Sequence, residues 1–114
     1  MPSLKNTLRE IGIVPVIKIT DADKAVDLAA ALVEGGLPAA EITFRTDAAA
    51  EAIYKMKEAY PEMLIGAGTV LTVRNLDDAI SAGASFIVAP GLNPKIVEAA
   101  MKKNVPVVPG CMTP

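Results

Sequence analysis

The stretch A-A-E-I-T-F-R-T, Ala39 to Thr46, decides how the fold is read. After two alanines, polar residues recur at every second position, Glu41, Thr43 and Arg45, with Ile42 and Phe44 between them. Side chains alternate across a strand, so Glu41, Thr43 and Arg45 are expected on one face and Ile42 and Phe44 on the other. Thr46 and Asp47 then read as the cap of a helix. A carboxylate, a hydroxyl and a guanidinium in a row, at the carboxyl end of a strand that feeds a helix, stand where α/β barrels place their chemistry. The plainer alternative is a solvated edge strand with an ordinary ion pair.

Working outward, the same strand-then-helix unit repeats. Upstream, Ser3 caps a short helix with Leu4, Leu8 and Ile11 at helical spacing, stopped by Gly12, which reads as a lid or an amino-terminal plug. Ile13 to Ile19 is a β-rich run, apolar apart from Lys18, with Pro15 removing one ladder donor. Val14, Val16 and Lys18 share the phase that should face a common lumen with Glu41 and Thr43, whereas Ile17, Ile42 and Phe44 should pack under helices. Thr20 with Asp23 resembles a capping box for a helix closed by Gly35 and Gly36.

Downstream, Pro61 ends the helix that carries Ile53 and Met56, and a third strand at Met63 to Ile65 leads into Gly66 to Val70, G-A-G-T-V. Thr72 caps the next helix and Gly83 stops it. Ser85 to Val88 forms a fourth strand, Asn93 and Pro94 open a helix that ends at Asn104, and Val105 to Val108 forms a fifth. Thr113 and Pro114 read as the cap and first residue of a further helix. A βα period of about 20–26 residues is that of a barrel or a doubly wound sheet. A barrel of eight strands needs roughly 200 residues or more, so these 114 residues are expected to form a single domain over 1–114, the first five strands of eight.

Composition narrows the chemistry. Hydrophobic residues make up 52% but aromatics only 4%, so the core must be aliphatic, as where helices cover a parallel sheet. The net charge is -2 with basic residues scattered singly, which argues against nucleic acid as a partner. No run approaches the roughly 18 apolar residues of a membrane span and there is no export signal at the amino terminus, so no membrane partner and a cytoplasmic location are expected. The single cysteine, Cys111, excludes an internal disulfide and has no evident activating neighbour. The chain has no histidine, which removes Ser/His and Cys/His pairs and the usual zinc sites. Carboxylate, lysine, hydroxyl, thiol and backbone groups remain.

Gly66 to Thr69, G-A-G-T, is either a tight turn or a loop whose glycines let backbone approach a ligand; it lacks the spacing of a dinucleotide or phosphate loop. Lys18, within reach of pairing with Glu41, admits three readings: a cation for a carboxylate or phosphate; a Schiff-base amine of lowered pKa; or a lysine reaching solvent past the strand end.

Taken in order, I-V-P-V-I-K at Ile13 to Lys18, E-G-G at Glu34 to Gly36, E-I-T-F-R-T at Glu41 to Thr46, I-G-A-G-T-V at Ile65 to Val70, A-G-A-S-F-I-V-A-P-G at Ala82 to Gly91 and V-P-G-C-M-T-P at Val108 to Pro114 resemble the 2-dehydro-3-deoxy-phosphogluconate and 4-hydroxy-2-oxoglutarate aldolase family. The resemblance implies a parallel (β/α)8 barrel of the TIM type and a class I lyase that works through a Schiff base on a 2-oxo acid. It implies Glu41 as the general acid/base, Arg45 as the holder of the pyruvyl carboxylate, Thr69 and Pro90 lining the pyruvate pocket, and Lys18 at a strand-one position usually basic in the family; it implies no cofactor and no metal. Arg45 favours this family over the related phosphogalactonate aldolases. The family's Schiff-base lysine lies on strand six and its phosphate site after strands seven and eight, so none of the lysines here matches the nucleophile. The expectations are therefore an aldolase of which this chain is the amino-terminal portion, inactive alone, or, as the alternative, a non-catalytic half-barrel acting as a structural module. Its apolar edge strands are expected to pair in a homo-oligomer or with the remaining strands. Pro15 makes strand five the better edge.

Overall fold

The computed structural model describes residues 3–113; the expected helix start at Pro114 lies outside them. Helix α1 (Leu4–Ile11) is followed by β1 (Val16–Ile17), a 3-10 turn (Ala22–Lys24) running into α2 (Ala25–Glu34), β2 (Ala39–Thr43), α3 (Ala49–Ala59), β3 (Leu64–Gly68), α4 (Val73–Ala82), β4 (Phe86–Ala89), α5 (Pro94–Lys102) and β5 (Val107–Pro109). The five strands form one sheet in the order β1-β2-β3-β4-β5, every pair parallel. That is the chain order expected of consecutive βα units.

The register separates two faces. Ile17, Ile42, Ala67, Ile87 and Val107 lie in line across the sheet and belong to or pack on the core, where they meet Ile53 and Met56 of α3, Leu76 of α4 and Ile96 of α5. On the opposite face Val16, Glu41, Gly66 and Phe86 stand level, with Thr43 and Gly68 one step further along. Val16 and Val108 on the two edge strands are 62% and 46% exposed, whereas Ile42 is fully buried. One face is thus a closed apolar layer and the other an open, partly apolar lumen.

Helix boundaries follow the caps with two corrections. The Ser3, Thr72 and Asn93 side chains accept from the N–H groups of Asn6, Asn75 and Lys95, as expected. The α2 entry is instead capped by Asp21, which accepts from the Asp23 N–H and imposes the 3-10 turn, so Thr20 is not the cap. Thr46 accepts from the Ala48 N–H, but α3 begins only at Ala49, with no side-chain cap.

The strand expected over Ile13 to Ile19 shrinks to two residues. Among the described residues it has a partner on one side only, β2, and is tied there by threonine hydroxyls: Thr43 donates to the Ile17 carbonyl at 3.2 Å and Thr46 to the Ile19 carbonyl. Leu4 and Thr7 of α1 border a cavity of about 610 Å³ with Leu64, Ser85 and Pro106, at the strands' amino-terminal ends. Helix α1 is therefore a plug rather than a lid, since chemistry in such folds occurs at the other end.

Candidate active site

Most of the residues singled out in the sequence lie at or just past the carboxyl ends of their strands. Glu41 leaves β2 on the lumen face and its side chain lies across Gly68: a Cβ at Gly68 would stand 2.7 Å from Cδ and 3.0 Å from Cγ of Glu41. Only glycine leaves that space. The G-A-G-T glycines thus admit close approach, but the approaching groups are the chain's own. Gly68 takes Glu41, and Gly66 takes the ring of Phe86, whose Cε1 would be 2.6 Å from a Cβ there.

Glu41 is half-buried. Burial pushes its carboxyl above the ordinary carboxylate value, and the Arg45 guanidinium pulls it part of the way back. The ion pairs among the described residues are Lys55 with Asp23, Lys55 with Glu51 and Lys103 with Asp77, so Glu41 is paired with neither Lys18 nor Arg45. Arg45→Ala should therefore raise the Glu41 pKa further, read by carboxyl NMR titration. An unchanged or lowered value would show that Arg45 does not act on it.

Strand β2 ends at Thr43, so Arg45 sits in the following turn rather than in strand phase, exposed beside a polar cleft of about 260 Å³ shared with Asp47, Asn75 and Asp78. The turn begins where the Phe44 N–H makes a last bond to the Gly68 carbonyl. Lys18, one residue past β1, is exposed, as in the reading of a lysine reaching solvent. Thr43 is 1% exposed and its hydroxyl is committed to the Ile17 carbonyl, so here it serves strand pairing rather than a ligand.

Thr69, directly after β3, holds φ at +53°. A β-branched side chain in the left-handed region costs on the order of 1–3 kcal/mol, a strain that clusters at active sites and ligand clamps. Pro90 follows β4 and is exposed; its carbonyl occupies the place of a Cβ on Gly110, whose N–H bonds to the Ala89 carbonyl at 2.8 Å. Phe86 was not legible as a site residue from the sequence. The only signal was two glycines spaced by two, which bare one face of β3.

Four parallel βα units and a fifth strand, with a half-buried carboxylate, a guanidinium and a strained threonine toward the strands' carboxyl ends, define a barrel-type α/β protein with its candidate site at the rim. The chain belongs to the KDPG and KHG aldolase family, whose model matches residues 4–114. It is 50% identical over 107 residues to the 2-dehydro-3-deoxy-phosphogluconate aldolase of Haemophilus influenzae, covering 94% of this chain and 50% of that protein. It is also similar to the crystal structure of the 2-keto-3-deoxy-6-phospho-gluconate aldolase of Zymomonas mobilis, with a TM-score of 0.82, 42% identity and coverage of 89% of this chain and 48% of the other. A third likeness is to a KDPG aldolase from Legionella pneumophila with pyruvate captured as a covalent carbinolamine, with a TM-score of 0.83, 38% identity and coverage of 88% and 48%. The chain spans about half the length of the curated relatives it matches. No helix among the described residues is long and apolar enough to cross a membrane.

Proposed function

We propose that residues 1–114 form the first five strands of an eight-stranded barrel, in a cytoplasmic, homo-oligomeric class I aldolase. Its reaction is the reversible cleavage of 2-dehydro-3-deoxy-6-phosphogluconate to pyruvate and glyceraldehyde 3-phosphate, or of 4-hydroxy-2-oxoglutarate to pyruvate and glyoxylate. The observation that carries this reading is the Glu41 carboxylate, laid over Gly68 at the rim of a sheet from this family, with its proton affinity raised by burial. A carboxyl group whose pKa burial raises holds its proton more readily than a free one, which suits it to proton transfer.

In the proposed mechanism a lysine on strand six, outside this chain, condenses with the substrate ketone. Carbon–carbon cleavage then leaves an enamine of pyruvate. Glu41 takes the proton from the substrate hydroxyl and later returns one to the enamine carbon. Arg45 holds the pyruvyl carboxylate in a bidentate contact, with Thr69, Pro90 and Lys18 around the 2-oxo acid. The exposed lumen valines Val16 and Val108 support covering of the open side by further strands or another copy.

Joining residues 1–114 to the segment of the Haemophilus influenzae relative that carries strands six to eight tests the proposal. With pyruvate and borohydride, a reduced adduct is expected on a lysine of the joined segment, together with cleavage of 2-dehydro-3-deoxy-6-phosphogluconate. The chain alone should give neither. A folded chimera without adduct or cleavage would remove the aldolase reading, and a stoichiometric adduct on Lys18 of the chain alone would move the nucleophile into these five strands.

A further inference from the structure

Glu41, Gly66 and Phe86 stand level on three adjacent strands of the lumen face. The Phe86 ring lies on Gly66, with Cζ, Cε1 and Cε2 all crowding the place a Cβ would take, and the residue is 3% exposed. The Glu41 side chain begins at that level on the neighbouring strand, where the ring already covers β3. It runs instead along the strand direction and comes to rest over Gly68, one step nearer the rim. Two glycines two residues apart thus have different occupants, an aromatic ring below and a carboxylate above. We propose that Phe86 is a positioning residue for Glu41: seated on Gly66, its ring denies the carboxylate the lower level and holds it over Gly68 at the carboxyl end of the sheet.

This inference rests on Glu41 being the acid/base group proposed above. The seat over Gly68 is in keeping with the burial that raises the Glu41 pKa. Charged groups do not supply that rise. The facing residues Gly66 and Gly68 on β3 and Phe86 and Val88 on β4 carry no charge; Arg45 acts in the opposite direction, and Lys18, on the β1 side, forms no ion pair with Glu41.

The test is a carboxyl NMR titration of Glu41 in this chain, as wild type, Phe86→Leu and Gly68→Ala, with Phe86→Met as a second variant of similar bulk should the leucine disturb the amide spectrum. Gly68→Ala collides only with the mobile end of Glu41, so the fold should hold while the carboxylate swings into water. Gly68→Ala should lower the Glu41 pKa toward its ordinary value, and the Phe86 variants should shift it away from its wild-type value. In the chimera described above, both substitutions should lower kcat by about 10–100-fold, as for a misplacement near 1 Å, with KM little changed. An unchanged Glu41 titration in the Phe86 variants, whatever Gly68→Ala does, overturns the positioning role. A Glu41 pKa shifted in the Phe86 variants, with a chimera that never cleaves substrate, leaves the positioning intact and removes the aldolase reading instead.

Discussion

In a barrel completed by strands six to eight, Glu41→Gln should lower kcat by about 10²–10⁴-fold, the usual worth of a positioned proton-transfer group. The amide fills the same space over Gly68 but cannot cycle a proton. Stability should move differently from activity. The folded-state pKa of Glu41 is raised, so the folded state gains from the protonated form at low pH, and that gain is lost as pH rises through the folded-state pKa. Glutamine is neutral throughout, so this part of the pH dependence should disappear and the variant should be no less stable at neutral pH. Arg45→Ala should instead act mainly on KM for the 2-oxo acid, because it removes a binding contact present before and during bond cleavage. Steady-state kinetics on the two variants check the division: equal kcat in wild type and Glu41→Gln would remove Glu41 from the mechanism.

Ile42→Ala should destabilise the chain by about 2–5 kcal/mol, the cost of truncating a fully buried aliphatic side chain and leaving a cavity. That is a large share of the roughly 5–15 kcal/mol available to a whole domain. Val16→Ala, on the neighbouring strand but on the lumen face and 62% exposed, should change stability by less than about 0.5 kcal/mol. Urea unfolding of the two variants measures the difference. Comparable losses at both positions would mean that the lumen face is as well packed as the helix-covered one.

Much of the architecture was legible in the chain itself. Alternation in A-A-E-I-T puts Ile42 among helices and Glu41 in the lumen, and the structure has both there. Five strands in chain order follow from the repeated βα unit, and the Ser3, Thr72 and Asn93 caps from local hydrogen bonding within one turn. These features depend on residues close together in sequence, where periodicity and side-chain chemistry act without reference to the rest of the fold.

Other features were settled between strands. The β-rich, apolar run from Ile13 to Ile19 reads as a full strand, yet ladder bonds to one neighbour keep only Val16 and Ile17. Arg45 left strand phase because the β2 ladder closes at Thr43 and the chain turns. The commitment of the Thr43 hydroxyl to Ile17, the seat of Phe86 on Gly66 and the path of Glu41 over Gly68 each join residues at least 20 positions apart. By itself the sequence determined which residue types reach the rim and which face each strand buries, because alternation is a property of the backbone. Only the tertiary structure decided how those side chains share the space, because a Cβ missing on one strand becomes room for a side chain only when register brings the next strand level with it.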